Sequence, residues 1–459
     1  MKRLAVALID GEHYPPVVVE ALQKTSDRFE YRAAVFLGGS EKIRSADLRD
    51  EAEGLYGLPV VFAEDWCRGL ASAIETYQPE VVVDLSDEPV LGYVERFRLI
   101  SEALARNVGY EGSDFHFRPL NPVRLSNCPS LSVAGTAKRV GKTAVSGFVA
   151  RTLQEDIGPA AGGHGVVIVA MGRGGPEYPE VIDGSGGELG AKQLLAWSRE
   201  GRHAASDHFE DAALSRVTTV GCRRCGGGMA GAPFVSNVAE GALLANSLQP
   251  GVVIFEGSGA ALPPVGTDCM LLVAGAHQPV EYVTGYLGTY RVLISDSVVL
   301  AMAEEPLASA SKVQAMIAEI RAIKPGVPVI PIVFRPRPTR SVEGKRVAFF
   351  CTAPEVQKRV LMRYLAERWG CTVESVSTNL ADRPALLRDL GELAQVDVIA
   401  TEIKAAAIDV VAAEAEKRGL DLVFVDNEPV EVAPGRPGEL REEASRLGRL
   451  AKERFEAQV

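Results

Sequence analysis

Lys142 and Thr143 close the run Gly135-Thr-Ala-Lys-Arg-Val-Gly141-Lys142-Thr143, and these residue types at this spacing point to phosphate chemistry. A glycine-rich turn lets backbone N–H groups approach an anion closely, and a helix N-terminus behind it adds a favourable dipole. In such a loop the Lys142 ammonium reaches the β- and γ-phosphates of a nucleotide, and the Thr143 hydroxyl ligates Mg2+. Gly135, Thr136, Ala137, Lys138, Arg139, Val140 and Gly141 would line the phosphates, with Lys138 joining Lys142 as a candidate catalytic cation. The strict motif has four residues between its glycines. Here there are five, and Thr136 stands where the first glycine belongs. An ordinary strand–helix turn is the alternative, but an apolar run (130–134) precedes the loop and a helix-like pattern (144–153) follows it.

Other residues could complete such a site. Val252-Val-Ile-Phe-Glu256-Gly-Ser-Gly259 is an apolar strand ending in an acid, where a hard Mg2+ would find a rigidly mounted oxygen ligand. His203-Ala-Ala-Ser206-Asp207-His208-Phe-Glu210-Asp211 allows two views. Either Ser206 caps a solvated helix start, or Asp207 or Asp211 reaches the metal. Gly221-Cys222-Arg223-Arg224-Cys225-Gly-Gly-Gly228 supplies two guanidiniums and close-approach glycines, suited to an anion. One C-x-x-C gives only half the ligands of a structural zinc site, so metal, redox pair and plain turn stay as alternatives. Arg173, after Met171-Gly172, and the Asp10-Gly-Glu-His13 segment both follow apolar runs, where open α/β sheets bind substrates. Asp10, His13, Arg173, Arg223 and Arg224 are therefore the candidate substrate contacts. Asp114, His116 and Arg118 form a further polar segment, and for each of these segments solvation alone is the alternative, because loops after strands are often polar.

Strands and helices must alternate to position these groups. Runs 4–9, 31–37, 60–63 and 81–85 read as strands, with helices at 17–24, 66–77 and 94–106. This predicts a parallel sheet in a first block, 1–127, closed by the proline-rich 117–122. A second block, 128–337, carries the P-loop, with strands expected at 131–134, 166–171, 252–255, 270–273, 292–294 and 327–333 and a helix at 309–323. Residues 201–235 lack clear periodicity, which in a compact domain points to function. Arg335-Pro-Arg-Pro338 reads as the next boundary. Beyond it, 338–459 alternates strands (346–351, 372–375, 396–400, 422–425) with helices (355–369, 440–458), as a third α/β unit or an extension of the core sheet.

The 459 residues exceed one typical core, and 47% hydrophobic with 24% charged residues is ordinary globular composition. A net charge of −11 argues against nucleic-acid or acidic-membrane partners, so anions need a locally basic pocket. No secretory signal or membrane-length apolar run is read, and seven scattered cysteines do not suggest a disulfide framework. A cytoplasmic enzyme is expected.

With these residues in view, the chain resembles the cyclic 2,3-diphosphoglycerate synthetase family almost end to end. The likeness rests on DGEHYPP at 10–16, GTAKRVGKT at 135–143, GRHAASDHFEDA at 201–212, GCRRCGGGMAG at 221–231 and FEGSGAALPPV at 255–265. The loop with its extra residue and the EGSG turn are also similar to dethiobiotin synthetase. The resemblance implies a P-loop core of parallel strands with an appended N-terminal domain that helps hold substrate. It implies ATP-driven closure of 2,3-diphosphoglycerate into a cyclic phosphoanhydride, with Mg2+ as cofactor. Two polyanions must then meet, and Lys138, Arg139, Lys142, Arg173, Arg223 and Arg224 could offset their repulsion. Excluding water from an activated intermediate would call for closure of one domain over another. A P-loop kinase or carboxylate-activating ligase, and more distantly a metal-insertion protein using Cys222 and Cys225, remain alternatives. A homodimer is allowed, and the sequence does not fix the oligomer.

Overall fold

Apolar runs of strand length alternating with amphipathic helices can bury both faces of a sheet only in a layered α/β arrangement. The computed structural model describes residues 2–39, 41–42, 48–158, 164–186 and 189–458, and the chain forms two compact units. The first comprises Met1–Asn121, Pro279–Ile294 and Ala322–Pro325; the second comprises Pro122–Gln278, Ser295–Arg321 and Gly326–Val459.

In the first unit the sheet runs Val60–Phe62, Phe29–Phe36, Arg3–Ile9, Val81–Asp84, Gly109–Glu111, His116–Phe117. All neighbours are parallel except the last pair. Winding reverses between Arg3–Ile9 and Val81–Asp84, so a crevice opens beyond the carboxyl ends of those strands. The helix Gly288–Ile294 packs here against Tyr93–Ala105, with Phe97 and Tyr286 ring centroids 5.6 Å apart. The expected strand at 292–294 is thus the end of this helix, and the strand is Ser297–Ala301. Short apolar runs fit either period, and only the packing partner decides.

The second unit is built on one 13-stranded sheet. Its order is Val235–Ser236, Thr218–Cys225, Val166–Gly172, Val252–Glu256, Ser130–Gly135, Cys269–Gly275, Ser297–Ala301, Val329–Pro338, Asp421–Glu431, Val398–Thr401, Arg346–Phe350, Thr372–Ser377, with Glu180–Ile182 beside Thr218–Cys225. Arg335–Pro338 does not interrupt this sheet. It lies within Val329–Pro338, paired antiparallel with Asp421–Glu431. Its pairing with Ser297–Ala301 ends at Pro331, so the later prolines lack N–H groups only on an edge that pairs with no further strand among the described residues.

The 201–235 stretch also folds regularly, as the helix Asp207–Ser215 and the strand Thr218–Cys225. Glu210 and Asp211 are buried on that helix, which hides its apolar period. The P-loop helix Lys142–Ile157 packs against it and against the terminal helix Glu439–Glu456. Leu440, Ala444, Leu447 and Ala451 join the P-loop core, and a Cβ on Gly448 would lie 2.5 Å from Leu153 Cδ2. The last helix therefore covers the nucleotide sheet from the far end of the chain.

Candidate functional site

Two glycines let the P-loop adopt its shape. Gly141 sits at φ 91°, and a Cβ there would lie 2.0 Å from Phe334 Cζ. A Cβ on Gly135 would lie 2.7 Å from Lys142 Cδ, because the lysine folds back over the strand end. Lys142 Nζ donates to the Ala137 carbonyl at 2.9 Å. Burial pulls its pKa down to about 8, opposed by Glu256 and Asp207 and reinforced by Arg173 and Arg224. Thr136, in the place of the first glycine, donates through Oγ1 to Gln278 Oε1 at 2.5 Å and through N to the Val273 carbonyl. It ties the loop to the neighbouring strand. Lys138 and Arg139 are exposed and have no ion-pair partner among the described residues.

Beside the loop lies a group of buried acids. Thr143 Oγ1 donates to Glu256 Oε1 at 2.7 Å, while Glu256 Oε2 and both Asp211 oxygens lack any third partner among the described residues. Asp211 and Glu256 contact each other, and two carboxyls in contact require a shared proton. Burial raises the Glu256 pKa to about 7, and burial together with the Glu256 charge holds Asp211 well above the carboxylate range. Burial also lifts Glu210 to about 8, although Lys404 Nζ lies 3.1 Å from its Oε1. For Lys404, burial works against the charge, but Glu210 and Glu402 outweigh it and the pKa moves up. Among the described residues no three His, Cys, Asp or Glu form an all-protein metal cage. The Thr143–Glu256 pair with its orphan oxygen instead matches Mg2+, which takes one or two carboxylates and completes its shell with phosphate and water.

Cations without counter-ions complete the site. Gly259 has φ 61°, and a Cβ there would lie 2.6 Å from Arg173 Nη2 and 3.2 Å from Arg224 Nη2, so the two guanidiniums meet over this glycine. Arg224 donates to the carbonyls of Gly226 and Ser258, each at 2.6 Å. Burial, then the Arg173 charge, lowers its pKa. Neither arginine pairs with a carboxylate among the described residues, and such a pair favours an anion between or beside its members. Arg223 is not brought to this pair: successive strand residues face opposite sides, and its exposed side chain has no hydrogen bond among the described residues.

The same geometry removes the metal alternative at the cysteines. Cys222 is buried and Cys225 exposed, on opposite faces of the strand and separated by about 10 Å of extended chain. All seven cysteines are free.

Two further expectations change. Ser206 occupies the N-cap of Asp207–Ser215, but its hydroxyl meets His208 Nδ1 at 2.9 Å instead of capping the helix. His208 is buried and held through Nε2 by Glu180 at 2.9 Å, a scaffold role. Asp207 lines the site. In the first unit, Asp10 is fully buried. Its Oδ1 accepts from Glu12 N and His13 N, both at 3.0 Å, and meets His13 Nδ1 at 2.9 Å, while Oδ2 accepts from Asp87 N at 2.8 Å. Both oxygens of that carboxylate accept, from its own turn and from Asp87, so Asp10 orders the loop and orients His13.

A cavity of about 800 Å³ collects Lys138, Lys142, Thr143, Asp207, Glu256 and Arg173. Thr352, Asn379, Glu402 and Lys404, which sequence reasoning missed, line it too. The only signal for them was position just beyond predicted strand ends. No helix among the described residues is long and apolar enough to cross a membrane.

A parallel α/β sheet whose P-loop lysine, buried Glu256 and unpaired Arg173 line one cavity defines a nucleotide-dependent P-loop enzyme that acts on an anion. Family models of cyclic 2,3-diphosphoglycerate synthetase match along the chain: its N-terminal domain over residues 4–118, its P-loop domain over 130–333 and its C-terminal domain over 338–428. The chain belongs to the cyclic 2,3-diphosphoglycerate synthetase family. It is 52% identical to the cyclic 2,3-diphosphoglycerate synthetase of Rubrobacter xylanophilus, over 96% of this chain and 97% of that one. Identity to the synthetase of Thermococcus gammatolerans is 47%, over 97% of each chain, and to that of Methanothermus fervidus 43%, over 93% of each.

Proposed function

We propose that this chain converts 2,3-diphosphoglycerate and ATP into cyclic 2,3-diphosphoglycerate, ADP and phosphate. One observation carries the reading. Lys142, and the guanidinium pair Arg173 and Arg224, stand without carboxylate partners of their own among the described residues, beside the buried carboxyls of Glu256 and Asp211. Those features destabilise an empty protein, and two polyanions with a divalent cation would satisfy all of them. Mg2+, held by Thr143 and Glu256 with Asp207 or Asp211, would neutralise charge on the nucleotide phosphates.

The chemistry then follows from positioning and charge. An oxygen of one substrate phosphate attacks the γ-phosphorus, the bond to the bridging β–γ oxygen breaks, and ADP leaves. An oxygen of the neighbouring substrate phosphate attacks the phosphorus that now carries the extra phosphoryl group. A P–O–P ring closes and orthophosphate departs. Lys142 follows the charge that develops on the nucleotide, while Arg173 and Arg224 oppose that on the substrate phosphates. Lys138 supplies further positive charge at the loop.

Phosphorus NMR of the protein with ATP, Mg2+ and 2,3-diphosphoglycerate tests this. A cyclic anhydride resonance growing with ADP and phosphate is expected. A phosphorylated acid that never closes would make the protein a kinase.

A further inference from the structure

The two ends of the cavity differ in charge. At the P-loop end, Lys138, Arg139, Lys142 and Arg173 face two carboxylates, Asp207 and Glu256. Beyond residue 301 the charged lining is Glu355, Glu402 and Lys404, and the lysine is already paired with Glu210. Glu402 accepts from Thr352 N at 2.9 Å, Thr352 Oγ1 at 2.8 Å and Asn427 Nδ2 at 2.8 Å. Glu355 accepts from Thr378 Oγ1 at 2.5 Å, and Asn379 donates to Asp389 at 2.8 Å. Among the described residues this end presents acceptors and no unpaired cation. Its remaining surface is apolar: Met302, Val333, Phe334, Phe349 and Leu361.

Topology points to the same place. The strands Thr372–Ser377, Arg346–Phe350, Val398–Thr401 and Asp421–Glu431 lie parallel in that spatial order. Winding therefore reverses between Arg346–Phe350 and Val398–Thr401, and ligands of open α/β sheets bind beyond the carboxyl ends at such a reversal. Thr352 and Glu402 leave those two strands and bridge them. Phe334 joins this end to the phosphate loop, since its ring lies against Gly141.

An acid bearing two phosphates and a carboxylate would meet carboxylates here and no free cation. An uncharged heterocycle on a sugar would meet an aromatic and aliphatic surface with acceptors for its N–H and O–H groups. We infer that the strand ends beyond residue 345, with Met302 and Phe334, seat the nucleoside of the nucleotide, leaving the cationic end around Arg173 to the acidic substrate. This rests on the nucleotide reading above and gives the C-terminal part of the chain a binding role.

Calorimetry with ATP, inorganic tripolyphosphate and 2,3-diphosphoglycerate, each with Mg2+, tests it on the full chain. Ala353 and Gln357 line this end and are partly exposed, so Ala353→Trp and Gln357→Trp fill it with little risk to the core. Both variants should lose at least tenfold in ATP affinity, towards that of tripolyphosphate. Tripolyphosphate and 2,3-diphosphoglycerate should bind within about twofold of wild type. ATP affinity unchanged in both variants, or a selective loss of the acid, would overturn the inference. Photolabelling of wild type with 8-azido-ATP gives an answer that does not depend on any variant folding. Label within residues 349–379 supports the inference, and label confined to residues 138–259 refutes it. Wild type that bound neither ATP nor tripolyphosphate would instead remove the nucleotide reading on which the inference stands.

Discussion

The loop after Arg3–Ile9 in the first unit and the loop after Ser130–Gly135 in the second each leave the first strand of a parallel sheet, yet they treat their polar groups in opposite ways. Asp10 has a donor for both carboxylate oxygens from its own turn and from Asp87. Around the P-loop, Glu256 Oε2 and both Asp211 oxygens lack donors from any third group among the described residues, and Arg173 and Arg224 lack anions. A buried polar group that is satisfied stabilises the fold, and one left unsatisfied costs stability until a ligand completes it. The comparison separates a group that builds a loop from groups held ready for a ligand, although both are buried acids at strand ends.

The largest test of that separation is loss of the P-loop charge set. Lys142→Ala should lower kcat by about 10²–10³-fold or more, as removal of one developing-charge contact commonly does. Thr143→Ala and Glu256→Gln should fall in the same range and raise the Mg2+ requirement. Near wild-type kcat in all three at saturating Mg2+ would break the assignment.

Next come the guanidiniums. Arg173→Ala and Arg224→Ala should each lower kcat/KM for the acid by about 10–150-fold, and lysine at either position should rescue only partly. Cys222→Ser and Cys225→Ser should cost far less. A loss at Arg223→Ala as large as at Arg224→Ala would show that the opposite face of the strand also serves the substrate.

Stability sharpens the contrast, because the two buried acids Asp10 and Asp211 should respond with opposite sign. Glu256 and Asp211 have pKa values raised above those of the unfolded chain. Their contribution is fully present below the unfolded values and is lost as pH rises through about 7 and beyond. Asp211→Asn supplies a donor and removes that charge, so it should raise the melting temperature of the ligand-free protein at pH 8. Asp10→Ala strips the acceptor from several donors and should cost roughly 1–3 kcal/mol. Thermal unfolding of both variants across pH 5–9 decides; a stabilising Asp10→Ala would erase the distinction. In kinetics, kcat/KM should gain an acid limb near pH 7 from Glu256 and an alkaline limb near 8 from Lys142.

The smallest effect is expected at His13. His13→Ala should weaken use of the acid a few-fold while leaving ATP affinity near wild type, as separate titrations would show. Equal losses for both ligands would make the Asp10–His13 turn purely structural.

Much of this protein was legible without coordinates. The P-loop, its strand and helix, and Glu256 at the end of its own strand are local patterns: glycines, a lysine and an acid at fixed places relative to an apolar run. Residues close in sequence are held by one turn, so their geometry follows from their order. The proton-sharing partner Asp211, the Lys404–Glu210 pair, the meeting of Arg173 with Arg224 over Gly259, and the lining by Thr352, Asn379 and Glu402 were decided by tertiary structure alone. Each joins elements far apart in the chain, and burial of Glu210 and Asp211 erased the apolar period that would have revealed their helix. The sequence determined which groups could do phosphate chemistry. Packing determined which were left unsatisfied, because that depends on what every neighbouring element brings to the same buried space.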